Sequence, residues 1–127
     1  MIESLLPRRV LVLGATGMLG NAALRFFAES PGFEVSGSVR SLTSAQTLRE
    51  DLQEKLHVCV DVENADSLLR LFDTVRPAVV INCVGLVKQL SDSDDPLAAL
   101  PINAMLPHRL SRICSLVGAR QIGRAHV

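Results

Sequence analysis

The sequence carries no excess of charge of either sign, with 13 Lys and Arg set against 13 Asp and Glu. Without a basic cluster, nucleic acid is not an expected partner. No apolar run approaches the ~20 residues that a bilayer span requires, so no membrane partner is expected either. Met1 to Arg9 lacks the charged-then-apolar order of a secretory signal, which makes the cytoplasm the default location. Cysteine is scarce: Cys59, Cys83 and Cys114 are far apart and form no Cys-x-x-Cys pair. Cys59 and Cys83 fall in apolar strand-like runs and Cys114 on an apolar helix face, so all three read as buried, reduced thiols. A metal site or a disulfide is not expected. His57, His108 and His126 have no partner at ligand spacing and read as surface or packing residues. Internal repeats and low-complexity segments are also missing.

What is present is a globular composition of one domain or less, 127 residues with 48% apolar. Its most informative stretch is Val10-Leu11-Val12-Leu13-Gly14-Ala15-Thr16-Gly17-Met18-Leu19-Gly20. Four apolar residues run into three glycines spaced three apart. Leu19, Ala22, Ala23, Phe26 and Phe27 then recur at helical spacing. The glycines therefore sit where a buried strand turns into a helix. Free N–H groups of a helix's first turn, together with the helix dipole, favour an anion there. In that geometry Gly14 allows the tight turn, Gly17 lets backbone approach a phosphate, and Gly20 lets the helix pack closely on the strand. A glycine triplet alone is weak evidence; the strand before it and the helix after it make a dinucleotide site the better reading than a structural turn.

The rest of the chain alternates strands and helices. Ser30-Pro31-Gly32 stops the first helix, and Phe33 to Val39 reads as a second strand. Thr43 to Lys55 suggests a short helix and Leu56 to Val60 a third strand. Asn64 is placed to cap a helix carrying Leu68, Leu71, Phe72 and Val75 on one face. Pro77 ends it, Ala78 to Cys83 is a fourth strand, and Lys88 to Asp95 a polar loop. The last helical face holds Leu106, Leu110, Ile113, Cys114 and Val117. Strands with little alternation, separated by helices, predict an α/β fold: a Rossmann-type, doubly wound parallel sheet of order 3-2-1-4, cut after about four strands. The ligand crevice then lies at the strand C-terminal ends, between strands one and four.

Three more groups gather at that edge. Arg40 and Ser41 end the second strand, where an acidic residue suits the ribose 2′-hydroxyl of NAD and an arginine the 2′-phosphate of NADP. Arg40 therefore favours NADP (NADPH) over NAD. Asp61 and Val62 end the third strand, within reach of an adenine. Asn82-Cys83-Val84-Gly85 ends the fourth, with Gly85 allowing close backbone approach. Singly, these also suit a capping aspartate and a turn glycine; their joint placement points to a site.

The glycine motif Gly14 to Gly20, the Asp61-Val62 pair and Pro77 to Gly85 together resemble an extended short-chain dehydrogenase/reductase. The similarity is greatest to the dTDP-4-dehydrorhamnose reductase branch, where Asp95-Pro96, Ile102-Asn103-Ala104 and Pro107 resemble the helix after the fourth strand. It covers about Arg9 to Ala119. The resemblance implies cofactor contacts by Gly14, Thr16, Gly17, Met18, Leu19, Gly20, Arg40, Asp61, Val62, Cys83, Val84 and Gly85, with Asn103 supporting the active-site region. It implies hydride transfer between a nicotinamide cofactor and a nucleotide-linked sugar, in surface-polysaccharide synthesis, by a parent protein that is a candidate homodimer. That chemistry needs a tyrosine as general acid, a lysine four residues later and a Ser or Thr on the carbonyl. The sequence has no tyrosine at all. Lys88 has Val84 four residues before it, which has no proton to give, so no catalytic residue is assigned.

Ile122-Gly123-Arg124-Ala125-His126-Val127 reads as the translation of sequencing-adapter DNA (ATC GGA AGA GCA CAC GTC), whose next codon is a stop, rather than as a natural C-terminus. Residues 1–121 are accordingly expected to be the N-terminal part of an NAD(P)-binding domain, 122–127 adapter read-through, with the C-terminal substrate domain missing. The fourth strand is then expected to present an unpaired edge. Three functions remain open: an NADPH-dependent sugar-nucleotide reductase whose fragment is inactive, an epimerase or dehydratase that retains NAD, and a non-catalytic NADP-sensing regulator. A downstream Tyr-x-x-x-Lys would separate the enzymes from the regulator. The segment Ser91 to Asp95 reads as a solvated turn or an approach to substrate.

Overall fold

Val10 to Leu13 are all buried, and this run forms the centre of a five-stranded parallel sheet. The computed structural model describes residues 6–84 and 105–123. Its elements are β1 (Arg8–Leu13), α1 (Met18–Ala28), β2 (Phe33–Ser38), α2 (Leu42–Ala45), α3 (Glu50–Gln53) and β3 (Leu56–His57). They continue with α4 (Ala65–Val75), β4 (Val79–Asn82), α5 (Leu106–Val117) and β5 (Arg120–Ile122). The strand order is β3-β2-β1-β4-β5. β1 pairs in register with β2 from Arg8↔Phe33 to Leu13↔Ser38, and with β4 from Val10↔Val79 to Leu13↔Asn82.

Alternation of side chains along each strand divides the core into two layers. Leu11, Leu13 and Val80 face α4 and α5, meeting Leu68, Phe72, Leu110 and Ile113. Val10, Val12 and Val35 face the other way, onto Leu24 of α1 and Ala45, Leu48 and Leu52 around α2 and α3. Helices on both faces explain why the strands read as apolar runs with little alternation. The doubly wound architecture is as the sequence predicts.

α4 forms as its pattern dictates. The Asn64 side chain accepts a hydrogen bond from the Ser67 N–H at 3.0 Å, satisfying a first-turn donor. Leu68, Leu71, Phe72 and Val75 are all buried, each such burial contributing about 1.5–3 kcal/mol. The helix ends at Arg76, in the left-handed conformation (φ 52°), just before Pro77.

Several expectations are corrected. The sheet has five strands, not four: β5 pairs with β4 through Val79↔Arg120, Val80↔Gln121 and Ile81↔Ile122, so the β4 edge is paired. The single helix over 43–55 is two one-turn helices, α2 and α3. β3 pairs only through Gly37↔Leu56 and Ser38↔His57. The chain then leaves the sheet, and Cys59 lies exposed with φ 60°, not in a buried strand. Val117, at the end of α5, is 53% exposed and not on the buried face.

The buried face of α1 also differs. Leu19, Ala22 and Phe26 are exposed; Gly20 and Leu24 are buried, with Ala23, Phe27 and Ala28 packed beside them. A Cβ on Gly20 would lie 2.0 Å from the Gly14 carbonyl oxygen. This close approach of helix to turn sets the helix's rotation, and the stripe that meets the sheet is the one containing Gly20.

Candidate functional site

Strands β1, β2 and β3 run outward in one direction from the centre, and β4 and β5 in the other. The winding therefore reverses between β1 and β4, and their C-terminal ends frame a crevice. Gly14 ends β1 there with φ +76°, a conformation that suits only glycine in so tight a turn. A Cβ at Gly14 would also lie 3.1 Å from the backbone of Cys83 and Val84, so the turns after β1 and β4 are in close contact. The Ala15 N–H donates to the Ser38 carbonyl at 3.0 Å, fixing the first turn to the end of β2. Gly37 in β2, which the sequence pattern does not single out, has the same function as Gly20. A side chain there would meet Ala15 at 2.9 Å and Leu24 at 3.2 Å.

Gly17 is the N-cap of α1 and offers no side-chain cap. The first intrahelical bond runs from the Asn21 N–H to the Gly17 carbonyl at 2.8 Å. The preceding first-turn amides, on Met18, Leu19 and Gly20, thus lie at the mouth of the crevice with the positive end of the helix dipole behind them. The nearest atom to a Cβ on Gly17 is the Gly14 oxygen at 3.8 Å, so the space in front of the turn is open. Met18 and Leu19, at 92% and 55% exposure, form an apolar rim beside it, next to exposed Thr16. Uncapped amides, open space and a glycine N-cap fit a dinucleotide diphosphate.

The other predicted residues distribute around this edge. Arg40 is exposed two residues past the end of β2, and among the described residues it has no carboxylate partner. Ser41 is committed to capping α2, its Oγ accepting from the Ser44 N–H at 3.1 Å. Asp61 is exposed and closes a local turn, its carboxylate accepting from the Glu63 N–H at 3.0 Å. Val62 is half-buried against the α4–α5 layer. Cys83 is buried, Val84 half-buried, and the Asn82 side chain accepts from the Val84 N–H at 3.0 Å. Gly85, Asn103 and the 88–95 segment lie outside the described residues.

No three His, Cys, Asp or Glu side chains converge among the described residues, and no described helix is long and apolar enough to cross a membrane. A cavity of about 870 Å³, lined by Leu69, Phe72, Leu116 and Val117 among others, opens where α4 and α5 end. It lies at the opposite end of the sheet from the glycine turn, away from the edge where ligands bind in such folds.

Fold and edge together define a doubly wound α/β domain of the kind that binds dinucleotides. The profile of the NAD dependent epimerase/dehydratase family matches residues 10–125, and the chain belongs to that family. No match was found among the curated proteins. Among solved structures, the chain is similar to UDP-glucose 4-epimerase of Thermus thermophilus in complex with NAD. The TM-score is 0.70 and the identity 21%, covering 87% of this chain and 35% of that one. It is also similar to the dTDP-4-dehydrorhamnose reductase of Bacillus anthracis in complex with NADP, with a TM-score of 0.63 and 20% identity over 91% of this chain and 35% of that one. L-threonine dehydrogenase of Clostridium difficile gives a TM-score of 0.74 at 17% identity, over 93% and 36%. The chain thus spans little more than a third of the length of these structures, and the likeness is one of fold.

Proposed function

We propose that the chain is the cofactor-binding part of an NADPH-dependent sugar-nucleotide reductase resembling dTDP-4-dehydrorhamnose reductases. In this reading the amides of Met18, Leu19 and Gly20 hold the diphosphate, with Thr16 and Gly17 lining its approach. Asp61 and Val62 border the adenine, and Cys83, Val84 and Gly85 border the nicotinamide side. The cofactor supplies the hydride when bound; this chain's residues bind and orient it. The tyrosine and lysine that such chemistry requires, and the sugar-binding part, belong to a longer parent, cytoplasmic and acting in polysaccharide synthesis. The 127-residue chain by itself then binds cofactor without turning over substrate.

Arg40 carries the choice of NADP. It stands at the end of β2 with no acidic residue beside it and no described carboxylate to neutralise it. A charge-assisted bond from a guanidinium to a 2′-phosphate contributes ~1.5–3 kcal/mol, or roughly ten- to hundredfold in affinity. Titrating wild type and Arg40→Ala with NADPH and NADH tests this: the variant should lose NADPH affinity by that factor and keep its NADH affinity. Equal losses, or tighter NADH than NADPH binding by the wild type, would overturn it. A second reading, an epimerase or dehydratase retaining NAD, is supported by the family description and by the likeness to the NAD-bound Thermus epimerase.

A further inference from the structure

The turn after β3 is held from three sides. From just past β2, the Val39 carbonyl accepts the Val60 N–H at 3.1 Å. From α4, the Ser67 hydroxyl accepts the Asp61 N–H at 3.0 Å. From α5, the Arg109 guanidinium donates through Nη1 to the Glu63 carbonyl at 2.8 Å, bridging 46 residues. Only one other side-chain hydrogen bond among the described residues spans so much of the chain. It joins Arg9 to the Arg76 carbonyl, at the far end of the sheet. At the ligand edge, Arg109 thus ties the turn after β3 to a helix far along the chain. The same helix supports Val62 from below through the layer containing Leu106 and Leu110.

Asp61, Glu63 and Asn64 are exposed and follow a strand of only two residues; Val60 and Val62 reach the core, and the polar contacts above fix the rest of the turn. Exposed turns with few buried contacts are the parts of a fold that open most readily. A guanidinium is suited to holding such a turn, because its planar fork loses less freedom per bond than a lysine would.

We propose that Arg109 is a positioning residue for the adenosine half of the cofactor, acting through the Glu63 carbonyl to hold the Asp61–Val62 wall in place. The proposal rests on the dinucleotide reading above and deepens it. It makes the affinity for adenosine depend on α5, an element on the other side of the crevice from β2 and β3.

Two probes separate this role from general stability: 2′,5′-ADP, which needs the adenosine wall, and inorganic pyrophosphate, which needs only the glycine turn. Amide chemical-shift titrations of wild type and Arg109→Ala would measure both affinities, with melting curves in parallel. Removing one hydrogen bond to an ordered turn should weaken 2′,5′-ADP by about fivefold and leave pyrophosphate within about twofold of wild type. Unchanged 2′,5′-ADP binding, or equal losses for both probes alongside a lowered melting temperature, would show that Arg109 has no positioning role. Failure of the wild type to bind either probe would instead defeat the dinucleotide reading itself.

Discussion

Replacing Gly20 by Ala sets two opposed effects against each other. Gly20 lies in the first turns of α1, and alanine in place of a helical glycine normally stabilises by ~1 kcal/mol. The added methyl, however, would stand 2.0 Å from the Gly14 oxygen, 2.8 Å from the Gly14 carbonyl carbon and 3.0 Å from the Ala15 Cα. These are backbone atoms of a turn pinned to Ser38 and pressed against Cys83 and Val84, so no flexible side chain can move aside. Relief requires the helix to withdraw from β1, which loosens Leu24 in the layer beneath. Overpacking of a well-packed contact costs typically ~1–3 kcal/mol, and backbone clashes fall at the upper end. The clash therefore wins, with a net loss of about 2 kcal/mol. For a chain of this length that is a fall of roughly 5–10 °C in melting temperature. Thermal and urea unfolding, followed by circular dichroism, measure it directly. Gly17→Ala is the matched control, since its methyl meets only the Gly14 oxygen at 3.8 Å. It should fold as wild type while weakening dinucleotide binding. A Gly20→Ala protein as stable as wild type, or more so, would refute the close-contact reasoning.

Three further outcomes are expected. Asn64→Ala removes the cap of α4 and should cost about 1 kcal/mol in urea unfolding; an unchanged midpoint would mean the cap is not formed. In the native chain iodoacetamide should modify exposed Cys59, whereas Cys114, whose thiol burial pushes up and so keeps protonated at neutral pH, should stay unmodified until the chain unfolds. Peptide mass spectrometry showing the reverse order would contradict the burial pattern. Leu68→Ala, emptying a fully buried position between α4 and the sheet, should cost ~2–5 kcal/mol, and a loss below about 1 kcal/mol would place α4 elsewhere.

The sequence discloses those features whose physical cause is local. Asn64 before a Leu68-Leu71-Phe72-Val75 stripe is one such case, because a cap and a single apolar face leave only one way for α4 to form and dock. The β1 run and Gly14 are another: a buried strand followed by a residue free to adopt positive φ marks the crevice. Where apolar residues occupy more than one side of a helix, periodicity cannot choose between them. In α1 both the Leu19–Phe26 stripe and the Gly20–Leu24 stripe are available, and a contact between Gly20 and the turn after β1 decides the matter. Cys59 reads as strand interior because its neighbours are apolar, yet β3 ends two residues earlier, at the edge of the sheet. Gly37 is simply one residue of the Phe33 to Val39 strand in the sequence, and only the packing of α1 reveals its need for a bare backbone. Arg109 leaves no trace in sequence at all, since an arginine on a helix has the same pattern whether it faces water or a carbonyl 46 residues away.

The most direct measurement is an amide chemical-shift titration of the ¹⁵N-labelled chain with NADPH. Saturable shifts should appear, largest at Met18, Leu19 and Gly20 and smaller at Arg40 and Asp61. Shifts confined to the far end of the sheet, around Leu69 and Leu116, or none at the glycine turn at saturating NADPH, would contradict it.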